Sequence, residues 1–176
     1  MQTYDYNGTP LCLVPHEPDN GYQLFVSFDG TIGLRVAPSG VETLLNALCT
    51  TTENVKIPSN ANRKQRYLYF RNPWKTDVNI LVSHAVYLAW SGKPIPPGHQ
   101  IHHLNGIVTD NRIENLVCLS IPDHHRYDAV QRSLRMAGRL DKMSPAEILE
   151  VTQQYVIDPC STDEIMEYEM THHMEI

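Results

Sequence analysis

The chain has 176 residues, 41% of them hydrophobic, and a formal net charge of −6, which suits one domain with a modest extension. No run approaches the roughly 18 apolar residues of a membrane span, and no basic segment followed by an apolar core marks a signal peptide, so we expect a cytoplasmic protein. The four cysteines form no Cys-x-x-Cys pair, which argues against a cysteine zinc site.

The N-terminal part of the chain predicts a small β-rich region over residues 1–79. Residues 1–20 show no clear period and are interpreted as an irregular lead-in. Residues 22–36 fit two short strands joined at Asp29-Gly30, a dipeptide that is typical of hairpin turns.

The second half of this region predicts one helix and two strands. Three leucines share a helical face within residues 41–49, so this stretch predicts a short helix. Strands are predicted over residues 66–70 and 78–82, on either side of a turn at Asn72-Pro73.

The middle of the chain predicts a helix that leads into a strand, a loop, a second strand and a second helix. The first helix covers residues 83–90, with Ser83 as its N-cap and Gly92 just beyond its end. The elements that follow it are strands over residues 99–103 and 116–120 and a helix over residues 122–139, opened by Pro122.

The C-terminal residues 143–176 predict an acidic helical extension with a net charge of −8. Ser144 and Glu147 form a capping box with a proline at the first helical position, and the helix should run to about residue 157. A similar signature at Ser161 begins another helix. The second helix carries acidic but no basic side chains, so packing or dimerisation is the favoured interpretation of its role.

Histidine is concentrated between residues 99 and 125, where five of the nine histidines lie. His102 and His103 are adjacent, Asn115 follows His103 by 12 residues, and His124 follows Asn115 by 9. A glycine suited to a tight turn, Gly106, comes shortly after the pair. This concentration of imidazoles, with amides between them, suits one divalent metal ion beside one general base.

These residues and their spacing resemble the HNH endonucleases, also called His-Me finger or ββα-metal nucleases, in the branch found in phages and homing endonucleases. The resemblance implies an α+β fold, in which a small antiparallel β region precedes a ββα-metal core and C-terminal helices follow. It also implies an HNH domain over residues 80–142, between the β-rich region and the acidic extension.

The same resemblance implies roles for the individual side chains. His103 would be the general base, and Asn115 would orient its ring. His102 and His124 would hold one divalent metal ion, either Mg, Mn, Zn or Ni, and two imidazoles favour the softer ions over Mg. Asp128 lies one helical turn after His124, so it could complete the coordination or could be a solvated or arginine-paired carboxylate.

The basic side chains lie mostly in residues 60–142, whose net charge is +6, whereas residues 1–59 carry −4. A basic surface next to the motif could bind the phosphate backbone of double-stranded DNA, although charge runs are often simply solvated. The predicted DNA-contacting residues are Arg63, Lys64, Arg66, Arg71, Arg126, Arg132 and Arg135.

The leading hypothesis is therefore a metal-dependent DNA endonuclease that nicks or cuts double-stranded DNA, in a phage-infected or mobile-element-bearing bacterium. Double-strand cutting with one site per chain would favour a homodimer. One alternative is a catalytically silent HNH-fold protein that binds DNA or serves in phage structure or packaging. Another is a purely structural zinc site, which predicts unfolding by chelators.

Overall fold

A computed structural model of the chain describes residues 2–15, 20–49, 67–75 and 77–157. These residues form three antiparallel sheets and three α-helices, which confirms the predicted α+β class. The strands are β1 (Thr3–Tyr6), β2 (Thr9–Leu13), β3 (Gln23–Ser27), β4 (Gly33–Val36), β5 (Glu42–Leu45), β6 (Leu48–Cys49), β7 (Leu68–Phe70), β8 (Ile80–Leu81), β9 (His99–His103) and β10 (Leu116–Ser120). The helices are α1 (Val82–Ser91), α2 (Ile121–Met136) and α3 (Pro145–Ile157).

The chain divides into two compact units, and each unit consists of two separate stretches of sequence. The first unit comprises the chain up to Ile95 together with Val108–Leu116. The second unit comprises Pro96–Ile107 and the chain from Val117 onward. The sequence-based boundaries after residues 79 and 142 stay predictions.

The first unit is built on a five-stranded sheet in which β1 to β5 pair in chain order. The prediction of an irregular lead-in is wrong, because β1 and β2 form a hairpin. Asn7 and Gly8 close it with positive φ angles of 53° and 81°, which is the two-residue turn that matches the natural twist of paired strands. The Asn-Gly dipeptide was therefore the signal for this hairpin. The predicted hairpin at Asp29-Gly30 is confirmed by the pairing of β3 with β4.

The helix predicted over residues 41–49 is also wrong, because this stretch contains β5 and β6. A tight turn, in which the Ala37 amide donates to the Val41 carbonyl, brings the chain back along β4. Arg35 then pairs with Thr43 in the antiparallel ladder. Pairing with β4 satisfies the backbone hydrogen-bonding groups of this stretch. The spacing of three leucines could not reveal this non-local partner, and the partner decides the structure.

The strands predicted over residues 66–70 and 78–82 are confirmed in shorter form as β7 and β8. In a three-stranded sheet, β7 pairs with β8 on one side and with β6 on the other, and the predicted turn lies between β7 and β8. Residue 66 itself, like the polar stretch before it, lies outside the described residues.

Helix α1 belongs to the first unit and packs on the five-stranded sheet. The indole nitrogen of Trp90 donates to the Val26 carbonyl in β3 at 3.1 Å. Ser83 is not the N-cap: the helix begins at Val82 after an extended Leu81, whose side chain makes no capping hydrogen bond. The predicted C-terminal stop is confirmed, because Gly92 adopts the left-handed conformation with φ 65°.

The second unit consists of the β9–β10 hairpin, α2 and α3. Both strands have the predicted bounds, and the capping box is confirmed, since Glu147 accepts hydrogen bonds from the backbone amide and hydroxyl of Ser144. Helix α2 ends at Met136 instead of residue 139, because Gly138 turns the chain with φ 67°. The helix predicted at Ser161 lies outside the described residues.

The core of the second unit is an apolar cluster shared by the hairpin and the helices. Its buried members are Leu104, Leu119, Tyr127, Val130, Leu134, Leu140 and Ile148. Among the helices that the structure describes, none combines the length and the apolar character that crossing a membrane would require.

Replacing Gly30 with alanine should destabilise the first unit more than the same change at Gly8. Both glycines have positive φ, but a Cβ at Gly30 would overlap Val82 and press on Val86, whereas a Cβ at Gly8 meets no atom within 4 Å. We expect a loss of about 2–4 kcal/mol in the free energy of unfolding for Gly30→Ala and about 1–2 kcal/mol for Gly8→Ala, measured by urea denaturation. Equal losses would show that close packing of α1 over this turn contributes nothing.

Candidate metal centre

The start of α2 is fixed by side-chain capping, and this places the first polar residues of the candidate site. Ser120 is the N-cap: its hydroxyl accepts from the Asp123 amide at 3.3 Å and donates to the Asp123 carboxylate at 2.6 Å. Because the helix begins sharply after β10, His124 lies in its first turn. Asp128 follows four residues later on the same face.

Three side chains from β9 and α2 converge in the second unit. The His102 Nδ1 atom lies 3.3 Å from His124 Nε2 and 3.6 Å from an oxygen of Asp128. The other Asp128 oxygen lies 3.2 Å from His124 Nδ1, so a hydrogen bond to this oxygen leaves His124 Nε2 directed at His102. His102 is 4% exposed, whereas the Asp128 side chain is 45% exposed, so the cluster is buried on one side and open on the other.

This cluster could hold a metal ion, since each residue offers one donor atom and all three atoms lie within 4.8 Å of one another. Two nitrogens bound at 2.0–2.1 Å to a tetrahedral ion would be about 3.4 Å apart, close to the observed separation of the two imidazoles. The donor set is two nitrogens and one carboxylate oxygen, which suits Zn, Mn or Ni.

The protonation states of the cluster also suit a cation. Burial, assisted by the nearby imidazoles of His124 and His103, lowers the pKa of His102 to about 4, so the ring is neutral at physiological pH. Partial burial acts to raise the pKa of Asp128, but the hydrogen bond from His124 and the neighbouring imidazole charges outweigh it and hold that pKa below its usual value. A neutral imidazole and an ionised carboxylate are the forms that bind metal ions.

The predicted general base, His103, ends strand β9 directly after His102 and is 5% exposed. Its carbonyl accepts a hydrogen bond from the Gly106 amide at 2.9 Å, which closes the predicted turn. Gly106 has φ +70°, the conformation that favours glycine, and Asn105 stabilises the turn by accepting from the Ile107 amide. The backbone of His103 is therefore firmly placed.

Asn115 lies at the end of a single 3-10 turn, Ile113–Asn115, and is fully buried. Its side-chain amide donates to the Asp110 carbonyl at 2.8 Å, which ties together the loop between β9 and β10. That its amide orients the His103 ring stays a prediction.

Gln131 is the residue of this site that sequence reasoning missed. Its side chain is 5% exposed, and its amide nitrogen lies 2.8 Å from His102 Nε2. The available signal was helical spacing, because Gln131 follows His124 by seven residues and Asp128 by three, positions that share one face of a helix.

The arginines predicted to contact DNA lie in different places. Arg126 pairs with Asp123 at 3.1 Å, so its charge is partly balanced, and Arg132 is exposed on α2. The guanidinium of Arg135 lies over Gly106, where a Cβ would overlap it. Arg71, in the first unit, donates to the Tyr69 hydroxyl at 3.3 Å. The residues of this set outside the described part of the chain are Arg63, Lys64 and Arg66.

In a comparison with models of protein families, residues 81–126 match the family described as HNH endonuclease. This segment of the chain is similar to the HNH endonuclease family. The matched segment covers about a quarter of the chain and includes His102, His103, Asn115 and His124. Searches of curated proteins and of solved structures gave no match. The family match and the candidate metal cluster thus overlap at His102 and His124, and Asp128 and Gln131 lie just beyond the matched end.

Removing one donor from the cluster should weaken metal binding. We expect His124→Ala and Asp128→Asn each to lower the affinity by more than the about 10–100-fold that loss of an outer-shell partner costs. The measurement is titration calorimetry of the chelator-stripped protein with Zn or Mn. His125→Ala is the matched control, since His125 is exposed and adjacent to His124 but lies outside the cluster. Equal weakening in the control would contradict the assignment.

Proposed function

We propose that this chain is a metal-dependent DNA endonuclease that hydrolyses phosphodiester bonds. The observation that carries the proposal is the convergence of His102, His124 and Asp128 next to His103, at and just beyond the end of the segment that matches the HNH endonuclease family. This hydrolysis requires a deprotonated water, neutralisation of phosphate charge and stabilisation of the leaving oxygen.

The metal site would be formed by His102, His124 and Asp128. A divalent ion held there supplies positive charge that polarises the phosphate and stabilises the leaving oxygen. His102 is buried and would hold the ion from the protein side, while the exposed side of Asp128 leaves a path for solvent and substrate. The donor set supports Zn, Mn or Ni more than Mg.

His103 is the proposed general base, which accepts a proton from the attacking water. Its backbone is held by the turn to Gly106, and in the HNH family that the motif resembles, such an adjacent pair of histidines diverges at the end of the strand. One side chain of the pair can thus serve the metal and the other the water. A positioned base of this kind contributes about 10²–10⁴-fold to the rate.

The DNA backbone is proposed to approach along the exposed face of α2. Arg135 is the best placed of the predicted contacts, because it lies on the same helical face as the ligands and over the turn that follows His103. Arg132 is exposed nearby on the helix, whereas Arg126 already faces Asp123. Contact with double-stranded DNA would make binding strongly dependent on salt concentration.

The resemblance to phage and homing endonucleases supports a cytoplasmic role in a phage-infected or mobile-element-bearing bacterium. Because one chain offers one such site in its described part, cutting of both strands would need a homodimer or two successive nicks.

Chelation should remove activity and leave the fold intact. The apolar cluster that joins α2 to the β9–β10 hairpin is built from side chains other than the three ligands. We therefore expect chelator-treated protein to keep its far-UV circular dichroism and a cooperative thermal transition. Loss of the fold on chelation would favour the alternative of a purely structural zinc site.

The decisive experiment is cleavage of supercoiled plasmid by metal-stripped protein with Mg, Mn, Ni and Zn added back separately. We expect conversion to nicked or linear product by wild type and by the control His125→Ala. His103→Ala should lose about 10²–10⁴-fold in rate while still binding metal in calorimetry. If folded, metal-loaded wild-type protein fails to cut the plasmid with any of the four ions, the catalytically silent HNH-fold alternative replaces the proposal.

A further inference from the structure

Arg135 carries a positive charge that the described part of the chain does not neutralise. Its side chain is exposed on α2, and among the described residues no carboxylate lies at ion-pair distance from its guanidinium. Arg112 and Arg126 differ from it, because each of them pairs with an aspartate. A guanidinium without an internal partner is available to an anionic group from outside the protein, and its planar fork of donors suits a phosphate.

Gly106 provides the space in which the Arg135 guanidinium lies. A Cβ built on Gly106 would overlap a terminal nitrogen of the guanidinium and would lie 3.7 Å from its central carbon. The glycine therefore lets the guanidinium rest against the turn that follows the proposed general base, His103. A larger residue at this position would displace the end of the flexible arginine side chain.

The Gln131 side chain separates the guanidinium from the metal donors. Its carboxamide oxygen lies 3.4 Å from the same Cβ position on Gly106, whereas its nitrogen donates to the carbonyls of His103 and Leu104 and lies 2.8 Å from the His102 ring. Both Gln131 and His102 are buried, at 5% and 4% exposure. Because these two side chains stand between the guanidinium and the ion position, one phosphate cannot bind to both.

The spacing along α2 agrees with this separation. Arg135 follows Asp128 by seven residues, so the two positions share a face of the helix and lie about 10 Å apart along its axis. A DNA strand that crosses this face carries successive phosphates along it. The guanidinium therefore meets a phosphate other than the one at the ion.

We propose that Arg135, resting on Gly106, binds a backbone phosphate that flanks the scissile phosphate of bound DNA. The inference rests on the proposed nuclease function and adds to it the place and the consequence of this contact. The contact is made with intact DNA and is kept while the scissile bond breaks. It therefore contributes to affinity for DNA and not to the rate of bond cleavage.

The test compares Arg135→Met, Gly106→Ala and the double variant with two matched controls. Gly138 has φ +67°, but a Cβ there meets no atom within 4 Å, so Gly138→Ala strains the backbone without displacing an arginine. Lys142→Met removes one positive charge from an exposed position beyond α2. Binding of chelator-treated protein to a fluorescent DNA duplex is measured by anisotropy over a range of salt concentrations. Single-turnover nicking of plasmid is measured at saturating, metal-loaded protein.

We expect Arg135→Met to reduce the slope of log affinity against log salt concentration by about 0.9, the value for one phosphate contact. Gly106→Ala should reduce the slope equally, and the double variant should reduce it no further, because alanine at this position acts by displacing the guanidinium. Both controls should keep the wild-type slope. At saturation, Arg135→Met should nick plasmid at nearly the wild-type rate, since only uniform binding is lost.

An unchanged slope in Arg135→Met, with wild type that binds the duplex and nicks plasmid, would overturn the inference and leave the nuclease proposal intact. Additive effects in the double variant would overturn the role of Gly106. A loss of about 10²-fold or more in the saturated rate of Arg135→Met would assign it to the scissile phosphate and overturn the flanking contact. Folded wild type that neither binds the duplex nor nicks plasmid would overturn both proposals.

Discussion

The candidate site depends on the packing of α2 against the β9–β10 hairpin. Leu104 and Leu134 are almost fully enclosed in the apolar cluster between these elements, with Tyr127 beside them. Tyr127 also meets the His102 ring edge to face, with the ring centres 5.7 Å apart. A shift of the helix by one residue would rotate its face by about 100° and carry His124 away from His102. The polar geometry is therefore a consequence of apolar contacts that fix the helix in rotation and in register.

The fold could be predicted from sequence wherever a local signal specified it. The strand bounds around the histidine motif and the capping box at Ser144 were both correct, because alternation, turn residues and caps act within a few positions. The hairpin at Asn7 carried an equally local signal that was overlooked. The error at residues 41–49 is different in kind: the leucine spacing fitted a helix, and the deciding interaction was pairing with β4, which no local pattern contains.

The sequence indicated which residues form the candidate site better than it indicated which of their atoms face one another. The resemblance to HNH endonucleases pointed to His102 and His124 as ligands, and the helical period offered Asp128 as one of two interpretations. The structure places the Asp128 carboxylate beside both imidazoles. The same period pointed to Gln131, whose polar type gave no hint of burial. Which ring nitrogen of His102 faces His124 and Asp128 depends on the rotation of the His102 side chain. No pattern of residue types specifies that rotation. Burying such polar groups is tolerated because their hydrogen bonds are satisfied.

The loop between β9 and β10 has a consequence for how the protein can be divided. Residues Val108–Leu116 belong to the first unit, although the residues on both sides of them belong to the second. Within the first unit, the Ile113 amide donates to the Phe28 carbonyl at 3.0 Å. The chain therefore crosses between its units three times. A fragment begun at residue 80 would keep the whole histidine motif yet lack the carbonyl that receives this hydrogen bond. The minimal segment that carries the motif in sequence is thus shorter than the minimal segment that provides its native contacts.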